Sequence, residues 1–144
     1  MAEVRRQMAH LRRARGPRAH AQLIGGEVSL LPPDDHAAAL QVMREHGREP
    51  MSMTHGDFDY HYLRTLAIGP GGRRRLRRLS FAAHIDSLMR GRRGAPRPRT
   101  ETELAPLRRQ FADMFHRLRR EYGVRAYLAH NMTVTHATST RSQR

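Results

Sequence analysis

Apolar residues recur at intervals of three and four positions in four parts of the chain, a pattern typical of helices with one buried face. The helices predicted from it cover residues 4–14, the segment from Pro32-Pro33-Asp34-Asp35 to Gly47, residues 73–89 and residues 104–122. At the last of these, Thr100 and Glu103 have the spacing of a capping box, but that start would leave Pro106 inside the helix. We therefore predict that this helix begins at Thr102 or Glu103.

Alternation of apolar and polar residues predicts extended structure elsewhere. The runs are residues 54–62 and 124–134, and residues 22–31 have the pattern of a strand pair or of a strand with a turn at Gly25-Gly26. Together with the helices, these runs predict a small α+β, helix-dominated domain with a few short strands. We expect the helices at 73–89 and 104–122 to pack as an antiparallel pair of amphipathic helices.

Breaks in this pattern divide the chain. Residues 1–20 are predicted to form a basic N-terminal arm or short helix, and residues 21–137 a single α+β domain. Residues 91–100 are predicted to be a basic connector within that domain, and residues 138–144 a flexible tail.

Charge is the most unusual feature of the composition. The formal net charge is +14 on 144 residues, and all 27 basic residues are Arg, as a GC-rich coding sequence would give. Ten Arg face one acid in residues 73–99, whereas seven acids face two Arg in residues 21–62. A positive field of this size favours a polyanionic partner such as the phosphate backbone of DNA or RNA.

Several classes of protein are excluded or disfavoured. With no Cys, the chain has no disulfide framework and no Cys-containing zinc site. No apolar run approaches the roughly 18 residues of a membrane span. We expect a cytoplasmic protein, with organellar import as the alternative because residues 1–20 are rich in Arg and poor in acids.

The sharpest local signal is the segment Gly69-Pro70-Gly71-Gly72 with the basic run after it. The run consists of Arg73, Arg74, Arg75, Arg77 and Arg78. At a helix N-terminus these residues would lie together with unpaired backbone N–H groups, and both would bind a phosphate. The alternative is a solvated arm in front of a later helix start.

A second basic group lies in the connector between the two C-terminal helices. Its members are Arg90, Arg92, Arg93, Arg97 and Arg99. Interleaved with Gly and Pro, such a segment either follows a nucleic-acid backbone or is a plain solvated linker. Aromatic residues are few and mostly assigned to the core, so the sequence does not indicate a stacking platform for single strands.

One constellation has residue types that bind metals: His55, Asp57, Asp59 and His61. On a strand over residues 54–62 all four would share one face, opposite Phe58, Tyr60 and Tyr62, and imidazole with carboxylate suits Zn, Mn or Fe. The alternative, which we favour, is a solvent-facing side of the strand with no metal. The sequence implies no other cofactor.

These observations predict a nucleic-acid-binding accessory or regulatory protein that contacts phosphates through Arg clusters and is not an enzyme; DNA and RNA are not distinguished. The first alternative is an inhibitor or adaptor that docks on an acidic protein surface. Residues 21–62 would also suit the basic face of a second copy, giving a homodimer. The remaining alternative is a metal-dependent nuclease that uses His55, Asp57, Asp59 and His61.

Overall fold

The computed structural model describes residues 1–24, 26–85 and 100–131. In chain order its elements are α1 (Ala2–Arg15), β1 (Gln22–Leu23), α2 (Pro33–His46), β2 (Met51–Thr54), α3 (Tyr60–Ala67), β3 (Arg78–Ala83), α4 (Glu101–Tyr122) and β4 (Arg125–His130), with 3₁₀ turns at Val28–Leu30 and Pro70–Gly72. The four strands form one parallel sheet in the order β1-β2-β3-β4. The predicted helix-rich combination of helices and short strands is confirmed.

The predicted antiparallel pair of helices is not found, because the first helix of the pair is not present where we placed it. Residues 78–83 of the predicted 73–89 helix form β3, and residues 86–99 lie outside the described part of the chain. The run Leu-Ser-Phe-Ala-Ala at 79–83 is buried throughout. A strand buried on both faces is apolar nearly continuously, so its pattern cannot be told from that of a buried helix.

The predicted strand at 54–62 is also wrong. Strand β2 ends at Thr54, and α3 begins at Tyr60 with Asp59 as its N-cap, whose carboxylate accepts a hydrogen bond from the amide of Tyr62 at 2.8 Å. Gly56 has a φ of 79°, and a Cβ there would lie 3.1 Å from Cδ1 of Ile85. A turn at this glycine separates β2 from α3. The alternation of aromatic residues along the sequence gives no indication of this turn.

Helix α4 begins one to two residues earlier than predicted. The carboxylate of Glu103 accepts hydrogen bonds from the amide and the hydroxyl of Thr100, at 2.7 and 3.0 Å, so the capping box forms. Pro106 therefore lies inside the helix, as the discarded alternative implied. The helices expected at the N-terminus and before Gly47 are confirmed as α1 and α2, and β4 confirms the described part of the C-terminal strand.

The helices that connect consecutive strands pack against one face of the sheet. Phe81 of β3 makes ring contacts with His36 of α2, with Phe58 just before α3 and with Phe115 of α4. Phe111 joins the same cluster, which thus contains all four Phe of the chain. Right-handed crossovers between neighbouring parallel strands would give this one-sided arrangement.

A buried histidine joins α2 to this sheet. His36 is fully buried, with Nδ1 2.9 Å from the hydroxyl of Tyr62 and Nε2 2.9 Å from the hydroxyl of Ser52. The Tyr62 hydroxyl donates its proton to the carbonyl oxygen of Val28, so Nδ1 must be the donor and Nε2 the acceptor. Burial lowers the pKa of His36 to about 4, against the opposing effect of the Glu27 charge.

No helix in the described ranges is both long enough and apolar enough to cross a membrane.

Candidate nucleic-acid interface

The parallel topology brings Arg residues together at one edge of the sheet, the one formed by the N-terminal ends of all four strands. Each connecting helix runs back to this edge, so its last turn lies close to the start of the next strand. The last turns of α1, α2 and α4 are all basic. We call this surface the basic edge, made of Arg12, Arg13, Arg15, Arg18, Arg44, Arg48, Arg73, Arg74, Arg77, Arg78, Arg119, Arg120 and Arg125.

Hydrogen bonds fix the backbone of this edge. The amide of Arg125 donates to the carbonyl oxygen of Arg77 at 3.0 Å, and Nη2 of Arg44 donates to the carbonyl oxygen of Arg78 at 2.8 Å. Nη1 of Arg74 lies 3.4 Å from the carbonyl oxygen of Tyr122, at the end of α4. The segment before β3 is therefore held between the ends of α2 and α4.

Within the basic edge, Arg78 and Arg125 are direct partners in the pairing of β3 with β4. Both side chains are exposed, as are those of Arg73 and Arg77, and none of the four has a carboxylate partner among the described residues. Glu45 and Glu49, at and just after the end of α2, are paired with other Arg residues, Arg5 of α1 and Arg44 of α2 respectively. The edge therefore carries uncompensated positive charge.

Two Arg residues of α4, Arg108 and Arg117, are paired instead. Arg117 donates to the Glu121 carboxylate at 2.7 Å and lies 3.9 Å from the centre of the Tyr60 ring. Glu121 also accepts from the Tyr60 hydroxyl at 2.5 Å, and these two hydrogen bonds lower the pKa of its carboxyl. Arg108 is bound to Glu101. Among the described residues, Arg108 and Arg117 therefore have acid partners, unlike Arg73, Arg77, Arg78 and Arg125 of the basic edge.

The predicted phosphate site after Gly72 has a different geometry from the one expected. No helix begins at Arg73, whose backbone is extended, because positive φ angles at Gly71 and Gly72 turn the chain and Ile68 pairs with Arg74 in an antiparallel bridge. The helix-terminus explanation of that site is therefore wrong. Arg73, Arg74, Arg77 and Arg78 nevertheless lie together on the basic edge.

Arg75 differs from its neighbours in the same run. Its guanidinium is bound to the carboxylate of Asp34, at the start of α2, and its side chain is only 22% exposed. It therefore contributes to the packing of α2 against the segment after α3. Arg90, Arg92, Arg93, Arg97 and Arg99 lie outside the described residues.

The sequence pattern did not predict that the remaining Arg residues of the basic edge, contributed by α1, α2, α4 and β4, lie on one surface. The sequence did contain an indication of them, namely basic residues at the predicted helix ends, where they complement the negative end of the helix dipole. Only the parallel topology shows that several such turns meet at one edge.

The opposite edge of the sheet, where the strands end, is acidic and polar. Asp34 and Asp35 lie in the first turn of α2, and Glu101 and Glu103 in that of α4. Glu27, after β1, accepts hydrogen bonds from the Thr54 hydroxyl at 2.6 Å, from the His55 amide at 2.6 Å and from the Ser29 amide at 3.2 Å. This carboxylate therefore ties the ends of β1 and β2 together.

The predicted shared face of His55, Asp57, Asp59 and His61 does not exist. His55 follows β2, Asp59 caps α3, and His61 is exposed on α3. Over residues 1–24, 26–85 and 100–131, no group of three or more His, Asp or Glu is arranged to hold a metal ion. The break at Gly56 is the reason that four residues at alternate positions do not converge.

Comparison of the chain with protein-family models, with curated proteins and with solved structures finds no match in any of the three.

Proposed function

We propose that this protein binds nucleic acid through the basic edge of its sheet, acting as an accessory or regulatory protein. The single observation that supports this most directly is the pair Arg78 and Arg125, placed opposite each other on neighbouring strands with no described carboxylate between them. Like charges directly opposite on a sheet are destabilising. An external anion would relieve that repulsion.

The extent of the basic edge favours a polymer of anions over a single one. Exposed Arg residues come from α1, from the segment before β3, and from the end of α4, so their charges are spread along an edge. A phosphate backbone offers repeated negative charges, and each Arg that binds one releases condensed counterions. The planar guanidinium also matches two phosphate oxygens at once.

The experiment is a titration of labelled duplex DNA and single-stranded RNA at several salt concentrations, read by fluorescence anisotropy. If about five Arg residues reach phosphates, log K for duplex DNA should fall with log salt at a slope of about −4 to −5. A slope near zero, or no binding at low salt, would contradict the proposal.

Matched variants separate a specific surface from bulk charge. Arg78→Gln with Arg125→Gln removes two charges from the basic edge. Arg6→Gln with Arg109→Gln removes the same number of exposed charges from the helices, of which Arg6 is paired with Glu3. Only the first pair should reduce the slope, by about 2. Equal losses would mean that net charge alone decides affinity.

Docking on an acidic protein surface would use the same Arg residues. Purification with and without nuclease distinguishes it, because a protein partner stays bound after nuclease treatment and a nucleic acid does not. The metal-dependent nuclease reading has no observation in its favour, since its four residues are not brought together.

A further inference from the structure

Tyr127 lies on the edge strand β4, on the face of the sheet opposite to the helices. Phe81 points toward α2 and α4, and side chains alternate along a strand, so Ser80 and its cross-strand partner Tyr127 lie on the opposite face. Tyr127 is 58% exposed. It is thus an aromatic ring presented by a strand, away from the Phe cluster.

The β3 neighbours of Tyr127 on this face are covered in the folded chain, since Ser80 is 9% and Ala82 2% exposed, so the surface that a planar ligand can reach is that of Tyr127 itself. Its partner across β3 is Ser80, and the next pair toward the strand ends is Ala82 with Ala129. These side chains are small. Met51 and Met53 lie on the same face, because Ser52 between them contacts His36 on the helical side, and both are half-buried.

The same face carries the Arg pair of the basic edge. Arg78 and Arg125 lie two residues before Ser80 and Tyr127 on their strands, which is about 7 Å along the sheet. Two exposed Arg residues therefore precede one exposed ring on the same face of the sheet. This arrangement combines positive charge for a phosphate with an aromatic surface for a base.

We propose that the edge strand β4 binds single-stranded nucleic acid, with one base stacked on Tyr127 and the adjacent phosphates bound by Arg78 and Arg125. The inference rests on the proposed function and narrows its substrate class. The sequence does not indicate such a stacking platform, because aromatic residues are few and most of them are assigned to the core.

A single strand fits this face better than a duplex. In a duplex the flat surfaces of the bases are stacked on each other, whereas an unpaired base can place its surface against an aromatic ring. A further polar pair, His84 and Asn131, follows on the same face, with Nδ2 of Asn131 3.3 Å from Nε2 of His84. The face therefore continues past Tyr127 toward the strand ends.

The test compares two oligomers of equal length and charge, oligo(dT) and the corresponding abasic phosphodiester, by fluorescence anisotropy at fixed salt. We expect the protein to bind oligo(dT) about tenfold more tightly, since stacking of one base contributes about 1 to 3 kcal/mol. Tyr127→Ala should remove most of that preference and leave the affinity for the abasic oligomer within twofold. Tyr127→Phe should retain it, because Phe also stacks.

Two further variants complete the design. Arg78→Gln with Arg125→Gln should lower the affinity for both oligomers to a similar degree. Leu30→Ala, at a residue that is 83% exposed in another part of the surface, should change neither affinity. Circular dichroism confirms folding; the exposure of Tyr127 makes its replacement compatible with the fold.

The outcomes separate the two proposals. Equal binding of oligo(dT) and the abasic oligomer, with a normal salt dependence, would overturn the stacking inference and leave the basic edge as a phosphate-binding surface. A preference for oligo(dT) that survives Tyr127→Ala would also overturn it. Failure to bind any oligomer at low salt would overturn both.

Discussion

Arg78 and Arg125 are cross-strand partners on β3 and β4, and no acid of the described residues is paired with either. The backbone pairing of two strands therefore holds two positive charges together at the edge of the sheet. A pair of this kind lowers the stability of the free protein. It is most readily understood if an anion is bound there, which connects the stability of the sheet to the proposed function.

Replacing Arg125 with Thr should stabilise the protein. We expect a gain of about 0.5 kcal/mol, because the like-charge contact is lost and Thr favours strands. Urea unfolding at low and high salt measures this gain. It should be smaller at high salt, because salt screens the repulsion between the two Arg residues in the parent protein. A loss of stability, or a gain unaffected by salt, would show that the two guanidinium groups do not repel each other.

His36 should make the protein sensitive to acid. Its folded pKa of about 4 lies below its ordinary value of 6.5, so the unfolded chain takes up the proton first as the pH falls. Stability should therefore fall through the window from about pH 6.5 to 4, by about 2 kcal/mol between pH 7 and 4.5. Urea unfolding across this range measures the loss.

The control for that prediction is His36→Gln. The variant should be less stable at pH 7, since it disturbs the bonds to Tyr62 and Ser52, but its stability should depend less steeply on pH. If parent and variant have parallel pH profiles, the acid sensitivity belongs to other groups.

Pro106→Ala should stabilise α4. Inside a helix, Pro lacks the amide that would donate to the carbonyl of Thr102, and Ala restores it. We expect a net gain of about 1 to 2 kcal/mol after the greater freedom of the unfolded Ala chain is subtracted. Thermal unfolding measures the change. An unchanged midpoint would mean that the helix has already accommodated the missing bond.

Glu27→Ala should destabilise the junction of β1 and β2. The substitution leaves the Thr54 hydroxyl and the His55 amide without their acceptor, and each lost bond to a charged group is worth about 1.5 to 3 kcal/mol at most. We expect a total loss of about 3 kcal/mol, the lower end for two such bonds because the site is only part-buried, measured in urea. Asp113→Ala, at an exposed acid in the middle of α4, is the control and should not lower stability by more than about 0.5 kcal/mol. Similar losses in both variants would contradict the role of Glu27.

The amphipathic segments could be located from sequence because each one buries a single stripe of side chains. Helices α1, α2 and α4 follow this rule, and their ends are marked by Gly or by a capping box. The two failures have a common cause. At residues 54–62 and 73–89, the pattern of apolar residues fits both a strand and a helix, and the choice depends on neighbours distant in sequence.

The chain by itself determined the size and sign of the charge, the absence of Cys chemistry and the basic character of residues 73–78, because these follow from residue identity alone. Tertiary structure decided which of the described Arg residues act together. Parallel strands joined by helices bring helix ends and strand starts to one edge, so Arg78, Arg125 and the last turn of α4 become neighbours despite their separation in sequence. The exposure of Tyr127 was decided in the same way, since β4 has a neighbouring strand on one side only, whereas Ser80 and Ala82, on the same face of the inner strand β3, are buried.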